Sequence, residues 1–527
     1  MPEKIFYNGK IITMTNENPQ AILIKDGKIL ALGDKTDILN KASENAEKID
    51  LHGKCLMPSF IDGHSHLTQF AQSLTSINLS SSKNFSDIIN TLKKFKEDTN
   101  IKNGEWIVGF GYDHTSLAER VHPTKEVLDS AFPENPVVIS HISGHMGVVN
   151  SLALEKANLA DSSTEISGGV LGRDEKGHLN GYLEENAFMQ FRNYIPMPTK
   201  EKTLELLKRA QQIYLSYGIT TIQDGMLDNN SFDYLKVSAE NKDLICDVVG
   251  YADMKNSHGL FENNPEFDRK YKNNFKLNGY KIFLDGSPQG RTAWMREPYL
   301  KTSEDNRENY SGYPIYKDEE VRDFVNKSVR EGRQLLCHCN GDAAAVQYIN
   351  AFSKFTETRP VIIHGQFLPK ELLIEVKEKG LMPSYFMAHT YYWGDIHIKN
   401  MGMERAKDIS PANSTEKLNI PFTFHQDTPV LPPDMIDTLW CAVNRTTRSG
   451  VKLNQEESLS VYDALKAITI YGAYQYGEEN EKGTLEKGKK ADMVVLSESP
   501  LAVHKEELHR IKVEATYKNG EKLFEIK

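Results

Sequence analysis

The stretch Pro58-Ser59-Phe60-Ile61-Asp62-Gly63-His64-Ser65-His66 ends an apolar approach in two histidines with one serine between them. In an extended strand, side chains i and i+2 share a face, so Asp62, His64 and His66 would project from one side. Two imidazoles side by side suit a divalent metal, which takes neutral nitrogen donors at about 2 Å. Two polar residues in a turn would carry the same letters. The choice between these readings rests on whether further ligands exist elsewhere in the chain.

Downstream, short β-rich runs begin near Leu56, Ile219, Ile245, Tyr280, Gln334, Pro360, Leu381 and Pro421. Most alternate with helical patterns such as "TLELLKRAQQIYLSYG", "EEVRDFVNKSVREG", "KELLIEVKEKG" and "YDALKAITIYGAYQYG", each with apolar residues at i, i+3 or i+4. Eight strands interleaved with helices predict an α/β fold, a (β/α)8 TIM barrel over 57–477, with its chemistry at the C-terminal strand ends. The connection from His66 to Ile219 is far longer than one helix needs. It reads as an insertion after strand 1, roughly 80–200, near the active site.

The two ends share a texture of short apolar runs folded about Asn8-Gly9, Asp26-Gly27 and Asn519-Gly520, pairs that tolerate positive φ and signal hairpins. Neither end alone has enough strands to bury a sheet face. Residues 1–56 and 478–527 therefore predict one small β-sandwich-like domain built from both termini.

The strand ends carry the chemistry. The first run ends in His64 and His66, the fifth ("RQLLCHCNGD") in His338, and the sixth ("RPVIIHGQ") in His364. The fourth, "GYKIFLDG", sets Lys281, Phe283 and Asp285 on one face, and the eighth, "IPFTFHQDTPV", does the same for His425 and Asp427. A lone histidine after an apolar run is usually a satisfied core residue. Four of them with an aspartate, all at predicted barrel tops, match what metal-assisted hydrolysis requires. Asp427 suits a general base that moves a proton from water to a leaving nitrogen. For His425, orienting Asp427, contacting substrate and packing all stand open.

A net charge of -10 argues against a nucleic-acid or anionic-membrane partner, which needs concentrated Lys and Arg. The N-terminus lacks a signal-peptide apolar run, and no stretch approaches the roughly 18 apolar residues of a membrane helix. Five scattered cysteines form no disulfide framework, so a reduced, cytoplasmic protein is expected. In Cys337-His338-Cys339 adjacent residues face opposite ways, so the histidine or the two thiols line a given face.

The order His-x-His, Lys, His, His, Asp around a barrel resembles the amidohydrolase superfamily, and more closely its YtcJ-like branch, which includes N-substituted formamide deformylases. The resemblance spans essentially the whole chain through "MPSFIDGHSH" (57–66), "SGHMGVVNSLAL" (143–154), "GYLEENA" (181–187), "KIFLDGSPQGRTA" (281–293), "CHCNGD" (337–342), "IIHGQ" (362–366), "HQDTPV" (425–430) and "GTLEKGKKADMVVL" (483–496). It implies that His64, His66, His338, His364 and Asp427 bind a divalent metal, usually zinc, as one ion or two. It further implies a carboxylated Lys281 bridging two ions. A free ammonium would repel the cations, and the structural alternative is an ion pair between Lys281 and Asp285.

Two departures from the family pattern are Gln426, where a serine is common, and Pro288-Gln289 in the loop after the lysine. By the same resemblance the insertion caps the pocket. His145 is then a substrate contact, with Arg291, His425 and "GYDH" (111–114) as further candidates. Turn residues on a solvated surface would look the same. Asp224 and Glu185 are candidate supports. Tyr385, Phe386, Tyr391, Tyr392 and Trp393 form either an apolar wall or loop packing, and His389 has no assigned role. The resemblance implies hydrolysis of a non-peptide C–N bond in an N-substituted amide or formamide. Cyclic-amide hydrolysis or deamination on the same scaffold, and a metal-binding regulatory protein without catalysis, are the alternatives. The partners expected are a small-molecule substrate and a second copy of the chain in a homodimer.

Overall fold

A computed structural model describes residues 3–141, 145–164, 166–257, 259–301 and 307–526. The chain divides into two compact units, Met1–Phe70 with Leu207–Lys527, and Ala71–Leu206.

In the first unit eight strands follow one another in chain order: β1 Phe60–Ile61, β2 Ile219–Leu227, β3 Asp247–Asp253, β4 Phe275–Phe283, β5 Gln334–Cys339, β6 Val361–His364, β7 Met382–Tyr385 and β8 Thr423–Phe424. Every neighbouring pair is parallel. Parallel neighbours need crossovers. Helices supply them, among them Asn229–Glu240 between β2 and β3, Asp318–Arg330 between β4 and β5, and Asp342–Ala351 between β5 and β6. The edges meet where the Gly63 N–H donates to the Phe424 carbonyl at 3.2 Å. A Cβ on Gly63 would stand 2.6 Å from Thr423 Oγ1, so closure there requires glycine. The result is the expected (β/α)8 barrel. Ile61, Val249, Tyr251, Leu336, Val361, Ile363 and Met382 share one buried apolar cluster with Ala473 and Tyr476.

The run expected from Leu56 splits in two. Cys55–Pro58 pairs antiparallel with Met493–Leu496 in a sheet made by the termini, and only Phe60–Ile61 joins the barrel. The fourth strand starts at Phe275, five residues before the expected Tyr280. Its polar first half hides it in the sequence, yet Lys276 and Asn278 are buried, the one paired to Glu478 and the other donating to the Tyr251 hydroxyl. The pattern over 462–477 becomes two helices, Val461–Ala467 and Ile470–Gln475, broken at Thr469, whose hydroxyl bonds back to the Leu465 carbonyl.

The termini form two sheets, one of four strands within residues 4–50 and one of five joining Lys10–Ile11 and Cys55–Pro58 to three C-terminal strands. Phe6, Ile22, Leu56, Met493, Val495 and Tyr517 share their core. Asp26-Gly27 and Asn519-Gly520 are hairpin turns, both residues of each at positive φ. Asn8-Gly9 is not. Lys4–Tyr7 pairs within the four-stranded sheet and Lys10–Ile11 within the other, so this turn carries the chain between sheets.

The second unit holds a six-stranded mixed sheet in the order Gly169–Arg173, Leu179–Glu185, Met146–Val149, Val137–His141, Ile107–Tyr112 and Ser76–Asn78. Leu92, Ile139 and Val148 belong to one apolar cluster of this unit, and Leu154, Leu183 and Phe188 to another. No described helix of either unit is long and apolar enough to cross a membrane.

Candidate metal centre

β1 stops at Ile61, so His64 and His66 do not share a strand face as expected. They sit in a bend beyond it, where the His66 N–H donates to the Thr428 carbonyl and His66 bridges to Asp224 of β2. The bend still sets the two rings 5.0 Å apart, centroid to centroid. Asp62 turns elsewhere and accepts the His64 backbone N–H at 3.2 Å.

Around these rings the other strand ends converge. Oδ1 of Asp427 lies 3.5 Å from Nε2 of His64 and 3.5 Å from Nε2 of His66, and its Oδ2 lies 4.0 Å from Nε2 of His364. Ligands held about 2.0–2.2 Å from a tetrahedral ion stand about 3.3–3.6 Å apart. Donor atoms of His64, His364 and Asp427 all lie within 4.8 Å of one another. Oδ1 of Asp427 is buried and finds no hydrogen-bond donor among the described residues. A carboxylate oxygen ringed by imidazole nitrogens, with no proton to accept, fits a cation. His364 and Asp427 also hold positive φ, 71° and 53°, a strain that persists only where surroundings enforce it.

Lys281 Nζ of β4 stands 2.9 Å from His64 Nε2. Burial lowers the lysine to about 8. Asp285 does not pair with it. That carboxylate accepts the backbone N–H groups of Trp294, Asn340 and Gly341 and so fixes the loops after β4 and β5. His338 packs its ring 4.6 Å from that of His364, with Nε2 3.1 Å from the Gly286 carbonyl and 3.0 Å from Nδ2 of Asn340. Cys337 and Cys339 point the other way, their sulfurs 3.5 Å apart.

The electrostatics suit ligation. Burial and then the Lys281 charge push His64 well below the usual histidine value and His338 to about 4, and burial with the neighbouring His338 does the same to His364. The rings are therefore neutral donors near pH 7. Burial alone would raise Asp427, but His66, His364 and His64 together hold it well below the usual carboxylate range. Asp427 and His66 keep 16% and 12% of their side-chain surface exposed against 1% for His64, so the centre is open to solvent on their side.

Two supports were not visible in the sequence. Oε1 of Gln223, on β2, sits 2.5 Å from His64 Nδ1 while its Nε2 donates to the Gly63 carbonyl and the Tyr476 hydroxyl. That puts the ring proton on Nδ1 and aims the Nε2 lone pair at the centre. Ser384 Oγ lies 2.8 Å from His425 Nδ1, and His425 Nε2 lies 3.1 Å from His364 Nδ1, so His425 braces a neighbouring ring. Phe386 packs against both His364 and His425. Asp224 accepts the Thr68 N–H, and burial raises it to about 6.

Arg291 is buried at positive φ over the Tyr299 ring, and His389 stacks on His397 with Nδ1 to Nε2 at 3.0 Å. Tyr385 donates to or accepts from Thr415 at 2.7 Å, and Tyr391 packs on Trp440. Gln426 donates to the Asp434 carbonyl, tying the β8 loop to the helix Met435–Asn444. In the second unit His145 and Glu185 form an exposed pair at 3.1 Å, while Ser143 and Gly144 beside it lie outside the described residues.

The chain matches the family model described as "Amidohydrolase family" over residues 47–524. It is 27% identical to YtcJ of Bacillus subtilis (strain 168) over 99% of each chain. It is 25% identical to the N-substituted formamide deformylase of Arthrobacter pascens, over 97% of this chain and 96% of that one. An uncharacterised metal-dependent hydrolase from Pyrococcus horikoshii OT3 superposes with a TM-score of 0.74 at 27% identity, covering 95% of this chain and 99% of its own.

Proposed function

This chain belongs to the amidohydrolase family, and on that footing we propose that it is a zinc-dependent hydrolase that opens an N-substituted amide or formamide. The observation that carries this reading is the convergence on one barrel rim of the His64 and His66 Nε2 atoms around Oδ1 of Asp427, which has no hydrogen-bond partner among the described residues, with His364 Nε2 4.0 Å from its Oδ2. The 25% identity to the Arthrobacter pascens deformylase supports the substrate class.

A divalent metal held by these groups supplies Lewis acidity, polarising the scissile carbonyl and making water a competent nucleophile near neutral pH. The chain's own part is proton movement and orientation. Asp427, ionised and partly exposed, accepts the proton of the attacking water and returns it to the departing nitrogen. Gln223 holds His64 in the tautomer that presents Nε2, and Ser384 acts through His425 to hold the His364 ring. Phe386 keeps one side of the site apolar, which strengthens each charge interaction there.

The test is a panel of N-substituted formamides and amides assayed before and after chelation. Release of formate or another acyl product with its amine, lost on metal removal and restored by zinc, is expected. Ring opening, or ammonia release without an acyl product, would overturn the substrate class.

A further inference from the structure

We propose that Asp113, His114 and His141 form a second divalent-metal site, lying wholly within the unit Ala71–Leu206 and built without any barrel residue.

The site arises as barrel sites do, from parallel strands ending side by side. Ile107–Tyr112 and Val137–His141 are parallel neighbours, and the register sets His141 opposite Tyr112. Asp113 and His114 follow Tyr112 directly, so residues nearly thirty positions apart meet where two neighbouring strands end. His114 Nδ1 lies 3.3 Å from His141 Nε2, and Asp113 Oδ1 lies 3.6 Å from the same nitrogen. Both distances match the spacing of donors held about 2.0–2.2 Å from one ion, and the three donor atoms all lie within 4.8 Å of one another.

The donors are also braced. Asp113 accepts from the Thr115 N–H and hydroxyl on Oδ1 and from the Ser116 hydroxyl on Oδ2, which leaves one lone-pair site, on Oδ2, of a fixed carboxylate. The His122 ring stacks on His114 with centroids 4.0 Å apart, and its own Nδ1 lies 2.9 Å from the Tyr112 hydroxyl. Supports of this kind set ring orientation around bound metals.

Two imidazoles and one carboxylate select a first-row transition ion of the zinc class, because magnesium and calcium prefer all-oxygen shells. With three protein donors, all partly exposed, a fourth position stays open to water or an external ligand. The site stands whether or not the barrel centre holds zinc.

Full-length protein is loaded with zinc, desalted, and its metal counted per chain. His141→Gln and His114→Ala should each lose one zinc relative to wild type. The double variant His64→Ala/His364→Ala should keep one zinc, which adding His114→Ala removes. Wild-type zinc content in folded His141→Gln and His114→Ala, checked by melting curves, would overturn the proposal. A variant-free arm uses crystals of zinc-loaded wild type. Anomalous density between Asp113, His114 and His141 is expected, and its absence at saturating zinc would show only a hydrogen-bonded histidine pair.

Discussion

The two ends of the barrel both bury polar groups and finish them oppositely. At the end where strands begin, Lys482 and Lys518 pair with Asp247, and Lys276 and Lys482 pair with Glu478, each side chain at most 6% exposed. Each of these five side chains has an oppositely charged partner within the chain. At the end where strands finish, Asp427 Oδ1 has the Nε2 atoms of His64 and His66 3.5 Å away and no hydrogen-bond partner among the described residues. Burial of polar groups is costly in both places. The first end meets that cost with internal partners and braces the fold; the second leaves it unmet by the chain, as the proposed cation site requires. This is the division of labour expected of barrel faces.

Breaking the open end should have the largest effect. Asp427→Asn keeps the shape but cannot take a proton, so kcat/KM should fall about 10²- to 10⁴-fold with metal content nearly kept. Metal analysis and steady-state kinetics check both halves, and full activity would remove Asp427 from catalysis. At the closed end, Asp247→Asn takes the ion-pair partner of buried Lys518 and one of the two partners of Lys482, and should destabilise by about 3–5 kcal/mol in denaturant titrations. Turnover per folded molecule should be unchanged, and a stability loss that erased metal binding at the same time would blur the contrast.

A smaller effect tests the supports. Gln223→Leu frees the His64 tautomer and should weaken metal affinity about 10- to 100-fold, measured by competition with a chelating dye. Smallest is an acid-limb effect. Burial alone would raise Asp247, but Lys482 and Lys518 outweigh it and hold it low, and Lys482 and Lys276 do the same for Glu478. A depressed carboxylate adds stability that is full above its unfolded value of about 4 and lost as pH falls through its lower folded value. Stability of the wild type should therefore fall more steeply below about pH 4 than that of Asp247→Asn.

The proposed metal ligands were legible because each ends an apolar run, which marks both a strand and its rim. The rest had no such mark. Gln223 is one polar residue inside "ITTIQDGML", and only the position of His64, 159 residues earlier, gives it meaning. The face shared by Lys281 and Asp285 fails because β4 ends at Phe283, after which Asp285 is free to collect three backbone N–H groups. Asn8-Gly9 carries a hairpin signature, but the strands on either side find partners in different sheets, and pairing beyond the turn is not a local property. "GYDH" stands out by eye, while its partner His141 comes into view only once the parallel register with Tyr112 is known.

The most direct test of the barrel centre is anomalous scattering from a crystal of the metal-loaded protein, recorded at the absorption edge of the ion found by elemental analysis. A peak about 2.0–2.2 Å from Nε2 of His64, Nε2 of His66 and a carboxylate oxygen of Asp427 is expected. A fully loaded protein with no density among those three side chains would contradict the account.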